Sequence, residues 1–210
     1  MSIIIDNEIE KLTLKQAITQ CDREPNDFIS SIFLKEKPDG SHRMILNLKR
    51  MNKQTKKIHF KMDTITSIMR LIRPNCYFTK VDLKDAYYSI PIHQDDNKLL
   101  KFIHRGKCYR FLTLPNGHIN GPHKFTKIMK IPISELNKKD VDICPYLDDC
   151  LILSSSFELS FQNTKTAIDQ FQKLGFFVHG HPKSSFIPAH VIEFLGFELK
   201  SINMTICITK

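Results

Sequence analysis

Three aspartates suggest the chemistry of this sequence most directly: Asp82, and the adjacent pair Asp148 and Asp149. Carboxylate oxygens suit Mg²⁺, and a few of them suffice because the ion also binds water and substrate phosphates. Two Mg²⁺ ions about 3.5–4 Å apart can activate a hydroxyl and hold a phosphoryl group for in-line transfer. A main-chain oxygen from Leu83 could complete the shell. These residues are therefore candidate ligands for a two-metal phosphoryl transfer.

The residues around the Asp pair distinguish it from an ordinary turn. An isolated Asp-Asp turn is most often simply solvated. Here Tyr146 precedes the pair and apolar residues 150–153 follow it, which predicts a hairpin over residues 141–153 whose turn presents both carboxylates. Residues 76–82 predict a strand that ends at Asp82. A carboxylate on such a buried sheet needs a partner, and a metal ion is one.

Periodicity along the rest of the chain predicts an α+β fold. Gly121 and Pro122 open a helix that Pro132 ends or kinks, and Gly175 stops a later one. The order strand, helix, hairpin, helix, strand is that of a ferredoxin-like split βαβ sheet. The other predicted elements are a helix over 7–18, strands over 28–34 and 43–48 around a turn at 37–40, a helical segment at 86–88, a hairpin over 101–112, a helix carrying Phe125, Ile128 and Met129 on one face, a helix over 158–174 carrying Ile168, Phe171 and Leu174 on one face, a strand over 176–179 and a hairpin over 191–199.

Basic residues concentrate between residues 35 and 61. This stretch holds nine Lys or Arg against two acidic residues, a net charge of +7 in a chain whose formal net charge is +9. Such a cluster suits a polyanion, because each cation that meets a phosphate releases condensed counterions. A solvated basic face is the alternative interpretation.

Composition excludes several classes of protein. Hydrophobic residues at 41% and charged residues at 25% are ordinary globular values and indicate neither disorder nor a membrane protein. The six Cys form no CxxC pair and the nine His have no zinc-ligand spacing, so reduced thiols are expected. The first residues have neither a basic segment nor an apolar run long enough for a signal peptide. We expect a cytoplasmic or nuclear protein, neither secreted nor membrane-bound.

Six motifs, in order along most of the chain, resemble those of the reverse transcriptase family. With residues 28–33, their combination is most similar to DIRS-type retrotransposons and next to gypsy-like elements. The motifs are Lys37–Asn52; Val81–Pro91 around Asp82; Leu114–Gly117 with Gly121-Pro122 and Phe125–Lys127; Tyr146-Leu-Asp-Asp149; Gly175–Val178 with Lys183-Ser184; and Phe194-Leu-Gly-Phe197.

The resemblance implies an RNA-directed DNA polymerase, a nucleotidyltransferase that uses two Mg²⁺ ions, with Mn²⁺ as a substitute. It implies right-hand fingers and palm with the thumb missing or truncated. Residues 1–27 are then a helical extension, 28–200 the reverse transcriptase domain and 201–210 the start of the thumb connection. The implied partners are a primed RNA or DNA template and dNTPs, with RNase H and a recombinase or integrase encoded nearby.

The resemblance also assigns roles to single residues. Lys183 is implied to protonate the pyrophosphate, and Tyr87 to exclude a 2′-hydroxyl. Arg43 can bind a triphosphate in bidentate fashion, with Lys37 as a second charge. The full set is catalytic Asp82, Asp148, Asp149 and Lys183; metal-binding Asp82, Leu83, Asp148 and Asp149; nucleotide-binding Lys37, Arg43, Tyr87, Asn116 and Gly117; and primer- or template-binding Tyr146, Phe194, Leu195 and Gly196.

Alternatives remain open at several positions. Tyr87 is otherwise a core aromatic, Asn116 a plain turn residue and Lys183 a surface cation. His118, His123 and the lengthened run from His179 to Lys183 depart from the family pattern, as in a decaying copy. The alternative function is therefore a catalytically inactive remnant that binds nucleic acid without Mg²⁺. An RNA-templated RNA polymerase shares the palm, but Tyr87 and the Tyr-x-Asp-Asp context favour DNA synthesis.

Overall fold

The structure is a computed structural model that describes residues 2–37, 40–62 and 65–209. The chain divides into two compact units, Met1–His59 with Tyr87–Pro122 and Phe60–Ala86 with His123–Lys210. The helices are α1 (Ser2–Leu14), α2 (Lys49–Gln54), α3 (Ile65–Met69), α4 (Gly121–Asn137) and α5 (Phe157–Lys173), with 3₁₀ turns at Ala86–Ser89 and Asn97–Leu99. The strands are β1 (Ile18–Cys21), β2 (Ile32–Glu36), β3 (His42–Leu46), β4 (Tyr77–Lys84), β5 (Lys101–His104), β6 (Lys107–Phe111), β7 (Asp142–Tyr146), β8 (Asp149–Ser154), β9 (Phe177–Val178), β10 (Ser185–Ala189), β11 (Val191–Phe194), β12 (Phe197–Lys200) and β13 (Thr205–Ile208).

The first unit is built on a three-stranded sheet and a separate hairpin. The sheet has the order β1-β6-β5, and β2 pairs with β3. Alternate residues of β3 are buried, so Met44 and Leu46 enter the core while Arg43 stays exposed. Helix α1 adds Ile9 and Leu12 to that core. The predicted hairpin over 101–112 is confirmed as β5 and β6.

The first helix is shifted from its predicted span of 7–18. It begins at Ser2 and ends at Leu14, and Gln16 takes a left-handed backbone with φ 55°. Ile18 is buried because β1 pairs with β6, where it faces Phe111. The spacing of Ala17 and Ile18 is therefore compatible with a longer helix. Their observed strand structure depends on a partner strand about 90 residues away in sequence.

The hairpin that carries the basic cluster is also confirmed, with shifted bounds. Strand β2 begins at Ile32 rather than residue 28, and β3 ends at Leu46 because α2 follows closely, from Lys49. Lys35 faces Arg43 across the pair. Pro38 and Asp39, at the centre of the predicted turn, lie outside the described residues. The amide of Lys37 donates to the carbonyl of Ser41, and the carbonyl of Lys37 accepts from the amide of Gly40.

A four-stranded path in the order β10-β4-β8-β7 forms the main sheet of the second unit. Strand β8 lies between β4 and β7 and is antiparallel to both, so β4 and β7 are parallel to each other. Because α4 connects these two strands, the expected split βαβ order is present. Helix α5 packs on this sheet through Thr164, Ala167 and Phe171, and the Thr164 hydroxyl lies 2.6 Å from that of Thr79.

The helix bounds follow the buried faces rather than the local signals. Pro132 was expected to end or kink α4, but the helix continues to Asn137 because Met129, Ile133 and Leu136 bury one face on both sides of the proline. Ile128 lies off that face and is 37% exposed. Leu174 is exposed because α5 ends at Lys173. Gly175, at φ 84°, is confirmed as the stop.

A three-stranded sheet in the order β11-β12-β13 ends the described chain. Its first two strands confirm the hairpin predicted over 191–199. Phe194 and Leu199 pack from it onto Phe78 and Leu151 of the main sheet. Strand β13 was not predicted. Among the described residues every helix is too short or too polar to span a bilayer.

Candidate catalytic site and nucleotide-binding loop

Strand pairing places two of the three predicted catalytic aspartates opposite each other. Asp82 and Asp149 form the last pair of the β4–β8 ladder. Residues paired in this way have Cα atoms about 4.5–5.5 Å apart. Asp82 does not end its strand as expected, because Leu83 and Lys84 continue β4 and pair with β9. The two carboxylates therefore lie where β4 passes from one partner strand to another.

A two-residue turn of Leu147 and Asp148 joins β7 to β8 and presents the third aspartate. Tyr146 and Asp149 close the turn as a strand pair. Leu147 takes φ 52°, which a bulky side chain rarely adopts. The amide of Leu83 donates to the carbonyl of Asp148 over 2.8 Å and thereby fastens the turn to β4. The predicted adjacency of Asp148 and Asp149 to the end of the β4–β8 ladder is thus observed.

The backbone of Asp82 is held from its other side by the segment between β9 and β10. Its amide is 3.0 Å from the hydroxyl of the buried Ser184, to which it donates, and its carbonyl accepts from the amide of His179 over 2.8 Å. Both main-chain groups of Asp82 are hydrogen-bonded and β8 pairs with its strand. The backbone position from which its side chain projects is therefore fixed. Ser184 therefore positions the aspartate, a role that the sequence did not reveal.

Burial and like charge shape the electrostatics of this site. Burial, followed by repulsion from Asp82 and Asp148, raises the pKa of Asp149 to about 6. Burial and then repulsion from Asp148 raise the pKa of Asp82, while Lys183 acts in the opposite direction. The raised pKa of both carboxyl groups means that this pair holds a proton up to a higher pH than isolated aspartates do. This arrangement favours holding a proton between the two carboxyl groups.

The same crowding makes the site chemically suited to a hard cation. Carboxylate oxygens that repel one another on a partly buried surface are stabilised by a divalent ion, and the donor set contains oxygen only. Within residues 2–37, 40–62 and 65–209 no three His, Cys, Asp or Glu side chains are yet arranged to enclose an ion. The pKa values of Asp82 and Asp149 are both raised, so ion binding would require this pair to release the proton that it holds.

Lys183 lies at this site through His179. Its Nζ is 3.3 Å from Nε2 of His179, and that nitrogen is 3.8 Å from Oδ1 of Asp82. Sequence reasoning nominated Lys183 and missed His179. The signal was present, because the run from His179 to Lys183 departs from the family pattern, and the structure shows that both ends of this run lie beside the catalytic pair.

The sequence matches the family described as "Reverse transcriptase (RNA-dependent DNA polymerase)" over residues 35–199. The chain belongs to the reverse transcriptase family. Similar proteins include the Gag-Pol polyprotein of Walleye dermal sarcoma virus, 27% identical over 68% of this chain, and the Transposon Tf2-3 polyprotein of Schizosaccharomyces pombe, 26% identical over 81%. The chain spans only 8% and 12% of these polyproteins.

Solved reverse transcriptases share the fold. The foamy viral protease-reverse transcriptase in complex with dsDNA superposes with a TM-score of 0.84 at 22% identity, over 99% of this chain and 41% of that one. The same enzyme in complex with an RNA/DNA hybrid gives 0.76 at 21% identity, over 95% and 26%. At this level of identity the likeness establishes a mixed α/β reverse transcriptase fold.

The reverse transcriptase residues predicted to hold the nucleotide all lie in the first unit. Arg43 projects from β3 as an exposed side chain, and Lys37 directly follows β2. Asn116 donates to the hydroxyl of Tyr88 over 3.1 Å, which binds it to the 86–89 turn. Gly117 takes φ 97°, a left-handed conformation that explains a glycine there.

The ring of Tyr87 lies against Gly121. A Cβ on Gly121 would come within 3.2 Å of Cε1 of Tyr87, so the ring packs closely on the glycine backbone. Tyr87 is only partly buried. Its predicted contact with the sugar of a nucleotide stays a prediction.

The predicted primer-binding residues divide by burial. Phe194 is 1% exposed and packs in the core of the second unit, so its side chain is not available to a primer. Leu195 and Gly196 form the turn between β11 and β12, both with left-handed φ. Two consecutive residues with positive φ are typical of a tight two-residue hairpin turn. Of this predicted primer-binding segment only the turn is accessible, and Phe194 anchors it in the core.

Tyr146 lines a groove of about 520 Å³ within the second unit. Leu147, Met129 and Ile133 supply apolar walls, while Arg70 and Lys130 supply positive charge. Tyr146 also packs against the core cluster beneath the sheet. A groove that joins an apolar floor to cations beside the catalytic turn has the character of a nucleic-acid surface.

Proposed function

We propose that this chain is the polymerase core of a retrotransposon reverse transcriptase that adds dNTPs to a primer 3′ end. The pairing of Asp82 with Asp149, with Asp148 in the fastened turn, carries the proposal. The foamy viral enzyme solved with dsDNA and with an RNA/DNA hybrid supports a primed RNA or DNA template as substrate. The chain is a small part of its polyprotein relatives, so activity of this chain on its own is also a proposal.

Asp82, Asp148, Asp149 and the main-chain oxygen of Leu83 would hold two Mg²⁺ ions, with Mn²⁺ as a substitute. When bound, such ions activate the primer hydroxyl and neutralise the triphosphate. The chain itself fixes the spacing of the carboxylates through the β4–β8 ladder and the Leu83–Asp148 bond. Lys183 supplies the proton that the leaving pyrophosphate requires, from its place beside His179.

The remaining residues orient the substrates. Arg43 and Lys37 bind the triphosphate, and Asn116 and Gly117 contact the incoming nucleotide. Tyr87 fills the space that a ribose 2′-hydroxyl would need. Tyr146, Leu195 and Gly196 contact primer and template, and Phe194 supports the turn from below.

We infer a right-hand architecture for this core. The β2–β3 hairpin has the positive charge expected of fingers, and the split βαβ sheet has the topology expected of a palm. In this scheme residues 28–200 form the polymerase domain, 1–27 an extension and 201–210 the start of the thumb connection. The motif combination favours a DIRS-type element over a gypsy-like one. Neighbouring DNA that encodes RNase H with a recombinase, rather than an integrase, would support that order.

Primer extension with matched substitutions tests the function. Asp149→Asn should lower Mg²⁺-dependent dNTP incorporation on a primed RNA template by about 100-fold or more, because it removes a metal ligand. Asp169→Asn, at an exposed position of α5, is the control and should leave it unchanged. Equal incorporation by wild type and Asp149→Asn would refute the proposal. Template binding indifferent to Mg²⁺, without incorporation, would instead identify an inactive binding remnant.

A further inference from the structure

The loop that carries Asn116 and Gly117 is held by a side chain from α2. Asn52 donates from Nδ2 to the carbonyl of Gly117 over 2.8 Å, and its Oδ1 accepts from the amide of Ile119 over 3.0 Å. Both halves of one amide are thus used on the loop backbone, on either side of His118. An amide side chain can satisfy a donor and an acceptor together, as a neighbouring strand would.

A second asparagine makes the reverse connection. Asn120, within the loop and 6% exposed, accepts at Oδ1 from the amide of Ile58 over 2.9 Å and donates from Nδ2 to the carbonyl of Lys56 over 3.0 Å. Each asparagine therefore binds the backbone of the other's segment. Four hydrogen bonds join residues 52–58 to residues 117–120, although more than 60 residues separate the bonded partners in sequence.

The far end of this loop meets the predicted sugar gate. Gly121 packs on the ring of Tyr87, with only 3.2 Å between Cε1 and the place of a Cβ. The amide of Gly121 donates to the carbonyl of His118, so the segment between them is a closed turn. At the near end Asn116 bonds to Tyr88. A shift of the loop would therefore move the surface on which Tyr87 rests.

We propose that Asn52 and Asn120 are positioning residues that fix the 116–121 loop and, through Gly121, the ring of Tyr87. They thereby set the affinity for dNTPs and the discrimination against ribonucleotides. This inference rests on the proposed polymerase function. In this role each amide acts on the backbone of the opposing segment rather than on a substrate.

Isosteric substitution tests the proposal in primer extension. Asn52→Asp and Asn120→Asp keep the acceptor and lose the donor, and Asn52→Leu loses both without adding charge. Each should raise the KM for dNTP by about 5- to 10-fold, the effect of one to two hydrogen bonds, with kcat within about 3-fold. The dNTP:rNTP preference should fall in parallel. Asn47→Asp is the control, since Asn47 precedes the same helix but bonds to Ser31 and Lys49.

Hydrogen exchange separates a loosened loop from a lost fold. The amide of Ile119 should exchange about 10-fold faster in Asn52→Leu, while the amides of β4 and β8 stay protected. An active enzyme with this faster exchange but an unchanged KM and nucleotide preference would overturn the inference alone. A wild-type protein that incorporates no dNTP would overturn the proposed function and the inference with it. If Asn52→Leu does not fold, the two Asn→Asp variants decide the question.

Discussion

Asp82 and Asp149 face each other across β4 and β8, and burial raises the pKa of both carboxyl groups. Such a pair is stable while it holds a proton and strained when both groups ionise. Catalysis at neutral pH needs the ionised form. The pair therefore links folding stability, proton binding and metal binding at one position.

The pH dependence of stability should reveal this linkage. The pKa of Asp149 is about 6 in the folded chain and about 3.9 when unfolded. Between these values the native state holds the extra proton, so the free energy of unfolding falls as pH rises from about 4 to 6 and is level above that. The loss should be about 1–2 kcal/mol once solvent screening at this partly exposed group is allowed for. Urea unfolding without divalent ions, at pH 4.5 and 7.5, measures it.

Two comparisons control that experiment. Asp149→Asn should remove most of the loss, whereas Asp169→Asn should retain it. Mg²⁺ should raise the melting temperature of the wild type more at pH 7.5 than at pH 5, because the ion competes with the shared proton. A wild-type stability that does not decline over this pH range would contradict the shared-proton interpretation.

Lys183 should act on the chemical step. Lys183→Gln removes a proton donor beside His179 and should lower the maximum incorporation rate by about 100-fold with little change in dNTP affinity. Rapid-quench kinetics under single-turnover conditions measures both quantities. Lys173→Gln, an exposed change at the end of α5, should leave both unchanged. A defect confined to affinity would instead place Lys183 among the binding residues.

Tyr87 should control the choice of sugar. Tyr87→Ala opens space for a 2′-hydroxyl, and the ratio of kcat/KM for dNTP over rNTP should fall by at least about 10-fold. Tyr87→Phe keeps the ring and should preserve the ratio. If the alanine variant discriminates as well as the wild type, Tyr87 is not the gate.

The β11–β12 turn should separate a stability effect from a binding effect. Phe194→Ala removes a fully buried ring and should lower the free energy of unfolding by about 3–5 kcal/mol. Leu195→Ala lies in the turn and should cost less than about 1 kcal/mol while weakening binding to a primed template. Chemical denaturation and filter binding measure the two effects. A Phe194→Ala variant of wild-type stability would contradict the core placement.

The sequence predicted the parts of the molecule that depend on near neighbours. The hairpin turn that presents Asp148 and the Gly175 helix stop follow from residues within one element, and the structure has both, although Asp149 is the first residue of β8 and not a turn residue. The residue pairing of β1 with β6 required a partner about 90 residues away, so the helix end at Leu14 was misplaced. Of the two effects predicted for Pro132, an end to the helix is wrong, since the buried face of α4 carries the helix past it, and a kink stays a prediction.

The candidate site, too, could be predicted only where near neighbours in sequence reveal a residue's role. Asp82, Asp148 and Asp149 were identified from their flanking strands and the family pattern. Asn52, Asn120 and Ser184 were missed because their role lies in side-chain bonds to backbone groups more than 60 residues away. An asparagine in a short helix has no local pattern that distinguishes a surface residue from a clamp. Only the folded arrangement reveals which amides are used.

The left-handed φ of Leu147 has a consequence for how this chain can change under selection. Holding a bulky residue in that conformation costs about 1–2 kcal/mol, and a glycine in its place would remove the strain while adding less than about 1 kcal/mol of chain entropy. A screen for heat resistance should therefore favour Leu147→Gly. A screen for DNA synthesis should reject the same change, because a freer turn would let Asp148 move away from Asp82. At this position thermal selection and catalytic selection oppose each other.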